Sequence, residues 1–545
     1  MTAVSVMDTT LRDGEQTPNV AYTPGEKLQL ARLLLENVKV DRIEVASTRV
    51  SQGEHEAVTL IADWASRRGF TDRIEVLGFC DGLKSIEWLQ ETGARILNLL
   101  VKGSERHCRE QLGLRPEEHR ARVSDNIALA QAHGLTVNVY LEDWSSGIVD
   151  SPAYVAAMMD QLGELSVARV YLPDTLGNLS PWSVAEHVGT MVRRWPALWL
   201  EFHAHNDYGL ATANCLAALS AGARGVHTSV NGLGERAGNA PLAQTIVAIH
   251  DHLARRTRVD ESSLVGVSRL VETFAGKTVS DNTPVVGQDV FTQTAGIHAD
   301  GDAKGNLYAS RLDPKRFGRE RSYALGKLSG KASLEQNLGR LGISLSEPDR
   351  ARVLHRITQL ADKKHIIGPE DLPVIIADVL KAPQHPRIRV ESYRVTVGND
   401  MPPSAEVRVS NGNASFHAVA TGAGGYDAFM RALASVAHHL PVELPDLLDY
   451  RVRIPPGGHT EALVETIITW RPKDRAATFT TRGVDGDQLG ASVLATEKML
   501  NVLGRASQPS SIGASDAGVT FTASIDLERQ HDDGGRLQRT APEVI

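Results

Sequence analysis

The chain has 545 residues, 42% of them hydrophobic and 23% charged, with a net charge of −8. That length exceeds one ordinary core and predicts at least two domains of globular composition; an acidic balance without a basic run counts against nucleic acid or an anionic membrane as the main partner. Three cysteines (Cys80, Cys108, Cys215), none in a CxxC pair, point to free thiols in a reducing cytoplasm, and neither a signal peptide nor an apolar run of roughly 20 residues is present.

The first half alternates short β-branched runs with longer amphipathic stretches. Candidate strands are "AVSVMDT" (3–9), "RIEVAS" (42–47), "RIEVLGF" (73–79), "ILNLLV" (96–101), "TVNVYLE" (136–142), "ARVYLPD" (168–174), "LWLEFHAH" (198–205) and "GVHTSVN" (225–231). "TPGE" at 23–26 predicts a helix start, with Thr23 as N-cap, Pro24 at the first position and Glu26 closing a capping box. Gly69 reads as a helix C-cap. Eight such units across residues 1–276 predict a (β/α)8 TIM barrel in preference to an open doubly wound sheet.

Beyond 276 the periodicity lapses. Residues 277–330 are rich in Gly, Asp and Asn and read as a long, partly irregular connector. Helical patterns return at 331–387, where "KAPQHPR" (381–387) reads as a linker. Residues 388–528 carry two rounds of three alternating strands and a helix, an α+β domain built on a βββα repeat. Residues 529–545 form a polar tail.

Polar residues at the C-terminal ends of barrel strands are the default active-site candidates. The first strand runs into "TLRDGEQ", with Arg12 and Asp13; the fifth ends in Tyr140 and Glu142; the seventh carries "HAHND"; the eighth leads into "NGLGERAGN". His203 and His205 alternate on a strand, so both imidazoles face one way. Asp13 stands on strand one, beside strand eight, and Asn239 follows strand eight. Together they make a mixed N/O set that suits Mg, Mn or Zn with room for substrate oxygens. Of the adjacent Glu142 and Asp143 only one can face inward; Glu142 shares its face with Tyr140, which leaves Asp143 as a solvated or helix-capping carboxylate. His298 in "GIHADG" and Tyr308 in "GNLY" lie in the connector, where a Gly-flanked loop could offer an acid or base.

"DTTLRDGEQ", "HAHND", "NGLGERAGN" and "GIHADG", in that order, resemble the 2-isopropylmalate, homocitrate and citramalate synthase family of acyl-CoA condensing enzymes. The double βββα unit resembles the regulatory domain of its isopropylmalate and citramalate branches, and the resemblance covers residues 3–528. One departure is "GKLSGK" (326–331), where the family often has a His. The resemblance implies a metal-assisted Claisen condensation of acetyl-CoA with a 2-oxo acid. Asp13, His203, His205 and Asn239 would hold the divalent metal, and Arg12 would stabilise negative charge. Glu142, His298 and Tyr308 would handle protons, with Thr175 among the substrate contacts. It also implies a homodimer whose connector reaches a neighbouring barrel, and an amino-acid effector at the C-terminal domain. Leu77, Leu100 and Tyr140, ending strands three to five, would narrow the side-chain pocket toward a methyl group. That favours pyruvate, hence citramalate and the isoleucine route, over 2-oxoisovalerate. "RIEVASTRVSQGE" and "VYLEDWS" also look more like citramalate synthases. The regulatory C-terminus argues against lyase and carboxyltransferase relatives, and intact Arg12, Asp13, His203 and His205 argue against a catalytically dead amino-acid sensor.

Overall fold

The computed structural model describes residues 3–341, 343–362, 367–368, 371–380, 388–412, 414–453, 463–473, 479–506 and 519–521; the linker 381–387 and the tail 529–545 lie outside them. The chain divides into two compact units, Met1–Phe291 with Ala309–Arg321, and Thr292–Tyr308 with Ser322–Ile545.

The first unit is a closed barrel of eight parallel strands in sequential order. They are β1 (Ser5–Asp8), β2 (Arg42–Ser47), β3 (Ile74–Phe79), β4 (Ile96–Lys102), β5 (Thr136–Glu142), β6 (Arg169–Asp174), β7 (Leu200–Ala204) and β8 (Gly225–Thr228). Closure comes from β1 pairing with both β2 and β8, with Ser5 opposite Gly225 and Asp8 opposite Thr228. The helices start and stop where local chemistry directs. Thr23 accepts from the Glu26 amide while Glu26 accepts from the Thr23 amide, the capping box of helix Pro24–Arg32. Gly69, at φ +73°, ends helix Gln52–Arg68.

Strand alternation sorts the barrel into two environments. Val4, Val6, Ile43, Val45, Val137 and Val139 face the surrounding helices in the main core. Met7, Leu77, Tyr140 and Tyr171, with Leu100 against them, form a separate small apolar cluster inside the barrel. Beneath that cluster the lumen is ionic. Arg42 donates to Glu75 (2.6 Å), Glu201 (2.5 Å) and the Tyr171 hydroxyl (2.9 Å), all buried.

The second unit opens with the two-residue strand Thr292–Gln293, paired in parallel with Ser322–Tyr323, and then helix Gly296–Gly305, inside the stretch that the sequence leaves irregular. Its glycines hid it. A Cβ on Gly301 would meet the Tyr308 ring at 2.5 Å, and one on Gly296 would meet the backbone of Gly330 at 2.6 Å. Close packing, not loop flexibility, requires them. Helices Lys331–Arg340, Glu347–Asp362 and Leu372–Leu380 follow. Then come two antiparallel three-stranded sheets, each followed by a helix: Arg389–Thr396, Ser404–Ser410 and Ser415–Thr421 with Gly425–Val436, then Asp446–Arg453, Val464–Arg471 and Phe479–Asp485 with Gln488–Ala506. The βββα repeat is therefore present in the fold. The sequence did not reveal the short antiparallel pair of Ile343–Leu345 with Val519–Phe521. Among the described residues no helix is long and apolar enough to cross a membrane.

One tight contact braces the mouth of the barrel. A Cβ on Gly147 would lie 2.0 Å from the carbonyl oxygen of Gly103, whose amide donates to the Glu142 carbonyl at 2.6 Å. Gly147→Ala is therefore expected to cost about 1–3 kcal/mol. Gly163→Ala, in helix Pro152–Glu164 where a Cβ meets nothing within 4 Å, should instead stabilise by about 0.5–1 kcal/mol. Urea unfolding of both variants checks the pair.

Candidate active site

The end of β1 turns sharply. The amides of Arg12 and Gly14 both donate to the Thr9 carbonyl, which lifts Arg12 and Asp13 over the barrel mouth. Asp13, His203 and His205 are all buried, and one ligand atom from each falls within 4.8 Å of the others. His203 Nε2 lies 3.2 Å from Asp13 Oδ2 and 3.4 Å from His205 Nε2. His203 sits on β7, and His205 lies just past it, bridged to Asn239. That bridge brings the loop after β8 to the imidazoles.

The glycines of that loop are there for space. Gly234 has φ +155°, and a Cβ there would strike the Asn239 amide nitrogen at 2.4 Å; one on Gly238 would lie 1.9 Å from the Gly232 carbonyl. The loop is a fitted cradle for Asn239 rather than a flexible turn. Its Nδ2 donates to the Leu233 carbonyl (3.0 Å), which leaves Oδ1 turned elsewhere. Asp13 Oδ1, His203 Nδ1, His205 Nδ1 and Asn239 Oδ1 are all buried without a hydrogen-bond partner among the described residues. Burial and the neighbouring His203 hold the His205 imidazole down to about 4, so it is a neutral nitrogen donor at pH 7. Burial works against the Asp13 carboxylate, but Arg12 and His203 outweigh it and keep the group below the usual carboxylate range. Two imidazoles, an ionised carboxylate and an amide oxygen fit a divalent cation with open positions.

Arg12 is tied from both sides. Its Nε and Nη2 reach Glu44 Oε2 at 2.7 and 2.6 Å, and Nη1 lies 3.4 Å from Asp13. Burial opposes the guanidinium charge, and Glu44 and Asp13 more than offset it. Glu44 accepts from Asn98 (2.8 Å), whose own amide oxygen accepts from Asn138 (2.8 Å). The Tyr140 ring lies beneath, its centroid 5.8 Å from the Arg12 guanidinium carbon and 6.0 Å from the His203 ring. Its hydroxyl meets His227 Nδ1 at 3.0 Å, and His227 Nε2 faces Glu201 at 3.3 Å.

The fold thus gathers Arg12, Asp13, His203, His205 and Asn239 at the mouth, and Leu77, Leu100 and Tyr140 in the apolar cluster within. Glu142, partly exposed, pairs with Lys102 directly across from it on β4. The Thr175 hydroxyl accepts from the Asp143 amide (2.9 Å), and its carbonyl accepts from Arg236 (2.8 Å), which also grips Asp207. Those bonds lace together the loops after β5, β6, β7 and β8. Of the two expectations for Asp143, the solvated one fails and the position at a helix start holds: buried and at φ +63°, it is the N-cap residue of helix Trp144–Asp150, accepts from the Ser146 hydroxyl and faces His107 at 3.4 Å. His298 and Tyr308 belong to the second unit, where their ring centroids lie 4.2 Å apart with the planes tilted by 34°. Leu328, at the departure in "GKLSGK", is exposed there.

Residues 3–271 match the HMGL-like family, 285–365 the homocitrate synthase post-HMGL domain-like family and 367–503 the LeuA allosteric (dimerisation) domain. A putative (R)-citramalate synthase of Methanopyrus kandleri is 34% identical, covering 86% of this chain and 90% of its own length. The chain belongs to the citramalate and 2-isopropylmalate synthase family. As a member of that synthase family it is an enzyme of the acyl-transferring class. A probable 2-isopropylmalate synthase of the same organism is also 34% identical, over 92% and 98% of the two chains. The (R)-citramalate synthase of Methanocaldococcus jannaschii is 31% identical over 92% and 99%. The solved HMG-CoA lyase of Bacillus subtilis is 21% identical, covers 52% of this chain and 97% of its own, and has a TM-score of 0.45.

Behind the mouth, Asp8 at the end of β1 is buried with Oδ2 unpartnered, and burial pushes its carboxyl from 3.8 up to about 7. The unfolded carboxyl ionises first as pH rises, so the native state loses stability between those two values. Asp8→Asn keeps an acceptor for the Thr10 amide and removes that loss. It should raise the melting temperature by several degrees at pH 8 and by little at pH 4. An equal gain at both pH values would contradict the assignment.

Proposed function

We propose that the enzyme condenses acetyl-CoA with pyruvate to give (R)-citramalate and CoA, the entry to isoleucine synthesis. The observation that carries the substrate choice is the buried cluster of Met7, Leu77, Tyr140 and Tyr171 with Leu100, just inside a mouth lined by Arg12, Asp13 and the histidines. A lumen filled to that level by two tyrosines and two leucines suits a methyl group and crowds an isopropyl group. Several relatives are named citramalate synthases, which supports the same reading. One is named a 2-isopropylmalate synthase, which makes 2-oxoisovalerate the second substrate to test.

Asp13, His203 and His205, with Asn239, would hold a divalent ion; when bound it supplies Lewis-acid polarisation of the keto group of the 2-oxo acid. Arg12, fixed by Glu44 with one edge toward Asp13, stabilises the negative charge that grows on oxygen. The Thr175 oxygen accepts from the Asp143 amide and keeps its own O–H as a donor for the substrate carboxylate. A base takes one proton from the acetyl methyl group, and the new C–C bond forms at the keto carbon. The resulting alkoxide takes up a proton, and water cleaves the thioester to carboxylate and free thiol. Glu142, paired with Lys102, and the neighbouring His298 and Tyr308 are the groups for those proton transfers. The match to an allosteric (dimerisation) domain supports a homodimer that binds an effector; isoleucine, the end product of the proposed route, is the effector proposed, and the cytoplasm the compartment.

Thiol release from acetyl-CoA, measured with pyruvate, 2-oxobutyrate, 2-oxoisovalerate and 2-oxoglutarate, tests the reading. Pyruvate should give a kcat/KM about 10–200-fold above 2-oxoisovalerate, and isoleucine should lower the rate more than leucine does. Faster turnover of 2-oxoisovalerate would make the chain an isopropylmalate synthase, and no release with any acid would end the condensation. Chelation with EDTA should abolish turnover and added Mn or Mg should restore it. Asp13→Ala should lower kcat by about 100-fold or more and weaken Mn binding in calorimetric titration.

A further inference from the structure

Lys27 is a cation that the chemistry above does not use. It projects from helix Pro24–Arg32 and is wholly buried. Its ammonium reaches four oxygens: the Leu11 carbonyl at 2.9 Å, the Val45 carbonyl at 3.2 Å, Glu54 at 2.5 Å and Glu15 at 2.6 Å. Leu11 immediately precedes Arg12, and Val45 immediately follows Glu44. The two carbonyls thus flank the two halves of the Arg12–Glu44 ion pair. Glu15 in turn accepts from the Tyr22 amide at 2.7 Å, and Glu54 lies in the first turn of helix Gln52–Arg68.

We infer that Lys27 is a positioning residue for Arg12, holding the turn after β1 against the end of β2 so that the guanidinium meets Glu44 and Asp13 at once. A lysine has three N–H donors and no acceptor. Buried, it must satisfy all of them, and two of its partners are backbone atoms whose places are set by the Arg12 turn and by β2. The turn's other bonds, from the Arg12 and Gly14 amides to the Thr9 carbonyl, from the Thr10 amide to Asp8, from the Gln16 amide to the Asp13 carbonyl and from the Val230 amide to the Thr10 hydroxyl, do not reach the end of β2. Without the ammonium, two carbonyls and two carboxylates converge with nothing between them, and the turn must move away from β2. Displacement of a charge-stabilising group by about 1 Å is enough to lower a rate about 100-fold.

The inference rests on the reading that Arg12 stabilises charge in the reaction, so the test includes Arg12→Gln. Lys27→Met/Glu15→Gln/Glu54→Gln removes the cation together with its two carboxylates, which spares the fold an unpaired buried charge; Lys27→Arg keeps the charge. Circular dichroism and melting temperature establish that each variant folds. In the folded triple variant kcat with pyruvate should fall about 100-fold, while KM shifts less than about threefold. Lys27→Arg should recover part of kcat. Adding the triple change to Arg12→Gln should cost less than about threefold more, because the lysine acts through the arginine. A folded triple variant with wild-type kcat overturns the inference alone. So does a loss that repeats in full on the Arg12→Gln background, since that marks a merely structural role. Undiminished turnover by Arg12→Gln itself overturns the role of Arg12 and, with it, that of Lys27.

Discussion

A guanidinium buried at the mouth of a barrel must be answered by negative charge, and Arg12 is answered twice. Glu44 takes one edge of it and Asp13 takes the other. The consequence reaches outward. Asp13 stays ionised despite burial because Arg12 is close, and an ionised Asp13 is what makes the facing imidazoles a donor set rather than two structural histidines. Glu44 must be oriented to serve Arg12, and Asn98 and Asn138 orient it. Remove the arginine and two buried carboxylates lose their partner, at a cost of several kcal/mol.

Below this level the barrel is closed to any ligand. Arg42, Glu75, Glu201 and Tyr171 fill the lumen with paired groups, and Met7, Leu77 and Tyr140 fill the layer above. A substrate therefore enters only from the C-terminal ends of the strands, as the fold class leads one to expect. The two layers also divide the labour. The ionic plug holds strands β2, β3 and β7 together, while the apolar layer floors the mouth.

Much of this was legible in the sequence, and the failures have one cause. The eight strands, the Thr23 cap and the alternation of His203 with His205 follow from local patterns that need no partner. Glu44, Glu75, Glu201 and His227 were passed over because a polar residue in mid-strand reads as solvent-facing. In a closed barrel no strand face meets water, so a glutamate between isoleucine and valine has only the lumen to point into. The pattern "RIEV", present twice, was the available signal. Asp143 was legible in part: its place at a helix start follows from the local pattern, but its burial depends on the loops around it. The helix at Gly296–Gly305 was masked by glycines whose purpose is contact with Tyr308 and Gly330, which no local pattern can reveal.

The pairing of β1 with β8 bears on how the protein matures. The Thr9 hydroxyl reaches the Thr228 carbonyl across a sequence separation of 219 residues. Asp13 is made near the start of synthesis and His203 long after it. Loop closure over such a distance comes late in folding, and chains dominated by distant contacts fold slowly. No partial product of translation short of β8 can close the barrel or bring Asn239 to the histidines, so the site is completed only with the last strand. A nascent chain that still lacks β8 therefore presents no completed centre.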